Sequence, residues 1–142
     1  AAATAGGELP VYVHAADEAA FTDPVGWGSG FPVTPPVPAD LRTLTDGRVL
    51  EFAGFSIEVQ HTPGHTPGSV CFVTDAFVLS GDLVFRGTIG RSDFPHSDPE
   101  AMVESLRRFL KLPDHLDVYP GHMERTTVGL ERRTNPFLAG LA

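Results

Sequence analysis

His61-Thr62-Pro63-Gly64-His65-Thr66-Pro67-Gly68 doubles a four-residue turn signal directly behind an alternating apolar run. Pro and Gly end regular structure here, and two imidazoles sit where the chain turns. Two later stretches share the grammar, Ser80-Gly81-Asp82 and Tyr119-Pro120-Gly121-His122. In each, a hydrophobic run ends at a Gly with a His or Asp beside it. Three strand ends can then bring His65, Asp82 and His122 together. Two imidazoles and a carboxylate are donors used by zinc or iron. Each residue alone has a plainer reading: a histidine before a turn is usually structural, and Asp82 can cap a loop.

Outward from this stretch, residues 48–52 and 55–61 alternate apolar and polar positions around Ala53-Gly54. They predict a β-hairpin with Phe55, Ile57 and Val59 on one buried face. Residues 68–74 and 76–79 are continuous apolar runs and predict strands buried on both faces. Cys71 within them reads as core, not as a nucleophile. Residues 83–95 read as a Gly-containing loop. Ser97 and Glu100 have capping-box spacing around Pro99, so a helix follows, with Val103, Leu106 and Leu110 on its apolar face. Residues 116–119 predict a strand and 127–133 a helix broken at Asn135-Pro136. Upstream, residues 9–14 predict a strand and 15–21 a turn or two of helix. Residues 24–38 are rich in Pro and Gly, with Trp27 and Phe31, and read as a surface loop or as a wall facing substrate.

The 142 residues suffice for one core. A net charge of −8 argues against nucleic acid or an anionic membrane as partner. No apolar run approaches a membrane span. One cysteine excludes an internal disulfide framework and fits a reducing, cytoplasmic setting. Residues 1–7 lack a basic signal-peptide region and read as a loop or as a cut inside a longer protein. Strands, a helix, a strand and flanking helices predict a layered α/β (α+β) fold.

The motifs at 62–66, 80–82, Gly90-Arg91-Ser92-Asp93-Phe94 and 120–122, in that order, resemble the metallo-β-lactamase superfamily. The closest likeness is to its hydroxyacylglutathione hydrolase (glyoxalase II) branch, to which residues 131–137 (ERRTNPF) are also similar. The resemblance spans about residues 9–138. It implies part of a four-layer αββα sandwich, and a metal-dependent hydrolase of a small-molecule thioester or related acyl compound. It implies two zinc ions per intact site, with iron possible. It makes His65 a ligand of the first metal, Asp82 the catalytic bridge between metals and His122 a ligand of the second. In this family the metals acidify a bridging water and polarise the scissile carbonyl.

Arg91 stands where the family often contacts the thiol-bearing part of substrate, or it pairs with Asp93 to pin the loop. The family's tyrosine two residues on is Asp93 here, which puts glutathione as carrier in doubt. The family's His-x-His-x-Asp-His motif is absent; the nearest string is His14-Ala15-Ala16-Asp17. We therefore expect residues 1–142 to be a single partial domain, the C-terminal half to two-thirds of the fold. That domain would be inactive alone, with a sheet face left bare and homo-oligomers favoured. A mononuclear-iron persulfide dioxygenase and a catalytically dead structural or interaction module are the competing functions.

Overall fold

The computed structural model describes residues 9–23 and 37–141. Six of the ten strands among the described residues fall in one sheet of order β10-β9-β6-β5-β4-β3. The hairpin β3 (Val49–Phe52) and β4 (Phe55–His61) forms as expected. It turns through Ala53 and Gly54, both at positive φ, as a tight two-residue hairpin requires. β5 (Val70–Val73) and β6 (Phe77–Gly81) continue the antiparallel meander. β9 (Asp117–Pro120) then joins β6 in parallel, and β10 (Thr126–Thr127) closes the edge. The first strand, β1 (Val11–His14), pairs in parallel with β2 (Leu41–Leu44) as a separate ribbon. A 3-10 turn, Ala15–Asp17, and a short helix α1, Ala19–Thr22, follow β1.

One face of the large sheet is covered. Cys71, Val78 and Val118 point into a core filled by α2 (Pro99–Phe109), α3 (Val128–Thr134) and the C-terminal Leu138. Met102, Leu106 and Phe109 of α2 are fully buried. Each contributes roughly 1.5–3 kcal/mol, against roughly 0.3–0.5 for an exposed helix pair such as Arg107–Glu104. Burial therefore seats the helix. Leu106 and Leu110 of the expected stripe are buried, Val103 is only half-buried, and Met102 and Phe109 complete the apolar face.

The other face is largely open. Register places Val59, Phe72, Leu79 and Tyr119 side by side on it. Phe77 makes edge-to-face contacts with Phe55 and Tyr119. Phe55, Leu79 and Tyr119 are 48%, 40% and 42% exposed. The expectation that 68–74 and 76–79 are buried on both faces is thus corrected: their burial is one-sided. The hairpin's face is likewise buried only at Val59, because Phe55 lies toward the bare end. The β1–β2 ribbon is tied to the C-terminal end of this face, where the His14 ring stacks on His61 at 4.0 Å.

The expected loop at 83–95 holds a small hairpin, β7 (Val84–Phe85) and β8 (Thr88–Ile89). Glu131 of α3 anchors it from a fully buried position. Its carboxylate accepts from Gly87 N–H, Thr126 Oγ1 and Asn135 Nδ2. Asn135 Nδ2 also donates to the Thr88 carbonyl. These bonds show what the 131–137 string does: a buried carboxylate must have donors, and three are supplied. Residues 24–36 of the Pro- and Gly-rich stretch, and residues 1–7, lie outside the described residues. No helix among the described residues is long and apolar enough to cross a membrane.

The bare aromatic face predicts self-association of the 142-residue chain. Light scattering after size exclusion should give a mass above monomer, and Leu79→Lys should shift it toward monomer. A wild-type monomer at high concentration would contradict this.

Candidate metal centre

β4, β6 and β9 run in one direction, because β5 is antiparallel to both β4 and β6, and β9 is parallel to β6. Their C-terminal ends therefore share one end of the sheet. His65, Asp82 and His122 all follow these ends. A hydrogen bond from Gly121 N–H to the Gly81 carbonyl (2.8 Å) sets the last two loops side by side.

The loop carrying His65 is held from two directions. Its carbonyls face α2 and the residues leading into it. Arg108 donates to His61 O, Ser105 Oγ to Pro63 O (2.6 Å), Asp98 N–H to Gly64 O (2.9 Å) and Ser97 Oγ to His65 O (2.7 Å). Ser97 was expected to cap α2. Asp98 does so instead, accepting from Glu100 N–H and Ala101 N–H, which frees Ser97 to hold His65. From the opposite direction, Asp17 accepts from Thr66 Oγ1 (2.5 Å) and Gly68 N–H (2.7 Å).

Between these supports the three expected residues come together. His65 Nε2 lies 3.2 Å from Asp82 Oδ2, and His122 Nε2 lies 3.6 Å from Asp82 Oδ1. Each oxygen of one carboxylate thus faces its own imidazole. His65 Nδ1 is 2.8 Å from the Arg91 carbonyl. A carbonyl can only accept, so Nδ1 carries a proton, and Nε2 is the nitrogen turned toward the Asp82 carboxylate. Phe94 meets the His65 ring edge-on. His122 is 72% exposed and is backed by Phe85, edge-on at 5.8 Å. An open depression is lined by His65, Asp82 and His122 together with Asp17, Thr66, Ser69 and Gly121.

The donors suit a divalent transition metal in chemistry and in spacing. Two ligands of a tetrahedral zinc lie about 3.4 Å apart, and the two observed separations bracket that value. A carbonyl engaging the far nitrogen is also the usual outer support of a ligating histidine. They fall short in number: among the described residues no group of three or more His, Cys, Asp or Glu side chains encloses a metal position.

Arg91 places its main chain at the site and its side chain away from it. The guanidinium is bound to both Asp93 oxygens at 2.8 and 2.9 Å and lies 4.4 Å over Phe94. This pairing holds the Asp93 carboxyl below the usual carboxylate range. His14 is paired with His61, and burial, then that second ring, holds its pKa below the ordinary value. Cys71 is buried, and burial pushes its thiol up to about 11. Asp17 and Ser97 were not singled out for these roles by sequence. Their partners lie 49 to 51 and 32 residues away, and no local pattern reports such bonds.

A family model for the metallo-beta-lactamase superfamily matches residues 5–122. The chain belongs to the metallo-β-lactamase superfamily. It is 43% identical over 96 residues to the hydroxyacylglutathione hydrolase GloC of Haemophilus influenzae, covering 66% of this chain and 45% of that protein. The BLEG-1 B3 metallo-β-lactamase superposes with a TM-score of 0.83 at 37% identity, over 93% of this chain and 66% of that one. TTHA1623, solved in a di-iron-bound form, superposes at 0.73 and 48% identity, over 92% and 65%. The chain thus spans less than two thirds of the length of each. Superfamily membership confirms the mixed α/β fold and implies metal ions, with zinc against iron left to experiment.

Two expectations follow for this superfamily chain. A Cβ at Gly121 would come within 2.5 Å of Asp82 Oδ1, while the nearest backbone is at 3.4 Å. Gly121→Ala should therefore displace the carboxylate, not unfold the chain. The imidazole NMR signals of His65 and His122 should move while the thermal midpoint shifts by only a few degrees; unmoved signals would contradict the packing. Cys71 should resist thiol reagents at mildly alkaline pH and react only in denaturant. Rapid native labelling would show that the thiol is accessible.

Proposed function

We propose that these residues form the C-terminal part of a metal-dependent hydrolase acting on a thioester or related small acyl compound. The observation that carries this reading is the single Asp82 carboxylate, whose two oxygens face two separate imidazoles, one of them held through Nδ1 by the Arg91 carbonyl with Nε2 turned to the carboxylate. On this reading His65 and His122 would each hold a metal, and the Asp82 carboxylate would be shared between the two. Bound metal there supplies Lewis acidity toward a carbonyl oxygen and acidifies water near neutral pH. The chain's own residues orient the site. Arg91 O and Ser97 hold the His65 ring and backbone, and Phe85 and Phe94 back the two rings. The Arg91 guanidinium is exposed and held by Asp93, and it is the group proposed to swing toward the substrate's polar end once released from that partner.

The donor shortage is part of the proposal. Zinc closes with four ligands, or three plus water. The relatives are longer than the matched region, so the missing donors are proposed to come from sequence beyond these 142 residues. A His-x-His-x-Asp-His string is the expected source. The likeness to GloC favours a thioester substrate, and a single buried cysteine fits a reaction that needs no protein nucleophile. Cytoplasmic location belongs to the same proposal.

The test uses the longest natural chain containing these residues, assayed against hydroxyacyl thioesters. Turnover with bound zinc or iron is expected, and Asp82→Ala should reduce it to background. Near-normal turnover in that variant would refute the role of Asp82. Iron with oxygen uptake and no hydrolysis would replace the hydrolase with the dioxygenase reading.

A further inference from the structure

Asp17 lies on the turn after β1, outside the main sheet, yet it lines the same depression as His65, Asp82 and His122. Both of its oxygens are engaged by the loop that carries His65. Oδ2 takes the Thr66 hydroxyl at 2.5 Å and Oδ1 takes the Gly68 N–H at 2.7 Å. The Thr66 hydroxyl also lies 2.7 Å from Ser69 Oγ, which accepts from Thr66 N–H at 3.1 Å. Residues 66–69 thus close around the carboxylate. The approach is tight enough that a Cβ at Gly68 would sit 2.5 Å from Asp17 Cγ.

This contact completes a clamp. Four carbonyls from His61 to His65 are held by α2 and its lead-in. The donors at Thr66 and Gly68 are held by Asp17. His65 is the residue between the two sets. Without Asp17, the 66–68 backbone keeps only bonds within its own loop, such as Gly64 N–H to the Thr66 carbonyl, and the His65 ring keeps its bond to the Arg91 carbonyl but loses the outside anchor that fixes its backbone.

We propose that Asp17 is a positioning residue for His65. It holds the Thr66–Gly68 turn so that Nε2 faces the Asp82 carboxylate, and thereby sets the metal affinity of the site. It does not itself ligate. The proposal rests on the metal-site reading above. Outer groups that orient a ligating histidine are typically worth about 10- to 100-fold in metal affinity.

The experiment measures zinc affinity by competition with a chromophoric chelator, on the longest natural chain, well below its thermal midpoint. Wild type is compared with Asp17→Asn, Thr66→Val, Thr66→Ser, His65→Ala and Asp40→Asn. Asp40 is a control acid that pairs with Arg42 on the β1–β2 ribbon. Asp17→Asn and Thr66→Val should weaken zinc by roughly 10- to 100-fold. Thr66→Ser, which keeps the hydroxyl, and Asp40→Asn should leave affinity unchanged. The thermal midpoint of the metal-free protein is followed in parallel. If Asp17→Asn lowers that midpoint but the folded protein keeps wild-type affinity, Asp17 is merely structural and the proposal is overturned. Loss of zinc in His65→Ala with full retention in both Asp17→Asn and Thr66→Val overturns the clamp alone. A wild-type protein that binds no zinc overturns the clamp together with the site reading beneath it.

Discussion

The structure depends on how the loop from His61 to Gly68 is suspended. A turn containing two prolines and two glycines cannot hydrogen-bond to itself as a helix or strand does, so its polar groups need partners elsewhere. A few bonds close within the loop, such as Gly64 N–H to the Thr66 carbonyl, and most of the rest are found in two distant elements. Ser97, Asp98, Ser105 and Arg108 satisfy four carbonyls. Asp17 satisfies the donors that follow. Because α2 is seated by its buried Met102, Leu106 and Phe109, the loop inherits the rigidity of the core. The site is therefore fixed to the best-packed part of the molecule, although its own side chains are partly exposed.

A second constraint is strand direction. Parallel pairing of β6 and β9 brings Asp82 and His122 to the same end, and the meander returns β4 there as well. The residues around the trio then refine the geometry in different ways. The Arg91 carbonyl holds His65 through Nδ1, and aromatic edges limit the rings. The buried Glu131 network stabilises the β7–β8 hairpin that carries Phe85. This explains how a tail far from the centre in sequence bears on it. The open aromatic face has the opposite character. It has the composition of an interior and the exposure of a surface.

Much of this was legible in the sequence, for physical reasons that differ by element. Alternation with Ala53-Gly54 specified the first hairpin, and the Gly-flanked His and Asp residues marked the three loops that converge. Local rules failed where a long-range bond outranked them. Ser97 has capping-box spacing, but the Asp98 carboxylate takes the cap and the Ser97 hydroxyl goes to His65. The runs 68–74 and 76–79 read as buried on both sides, since hydrophobicity reports what a strand is built to face and not whether a partner layer is present. The parallel β1–β2 pairing and the role of Asp17 join residues some 30 and 50 apart. Neither leaves a short-range signature.

On the proposed reading, these residues hold part of a metal site whose remaining donors lie in other sequence. The most direct test is elemental analysis of the 142-residue chain beside its longest natural form, both purified without chelator. The account predicts about two zinc or iron ions per chain in the longer form and no tightly held metal in the shorter one. Stoichiometric, chelator-resistant metal in the 142-residue chain would contradict it, since His65, Asp82 and His122 would then have found their partners within these residues.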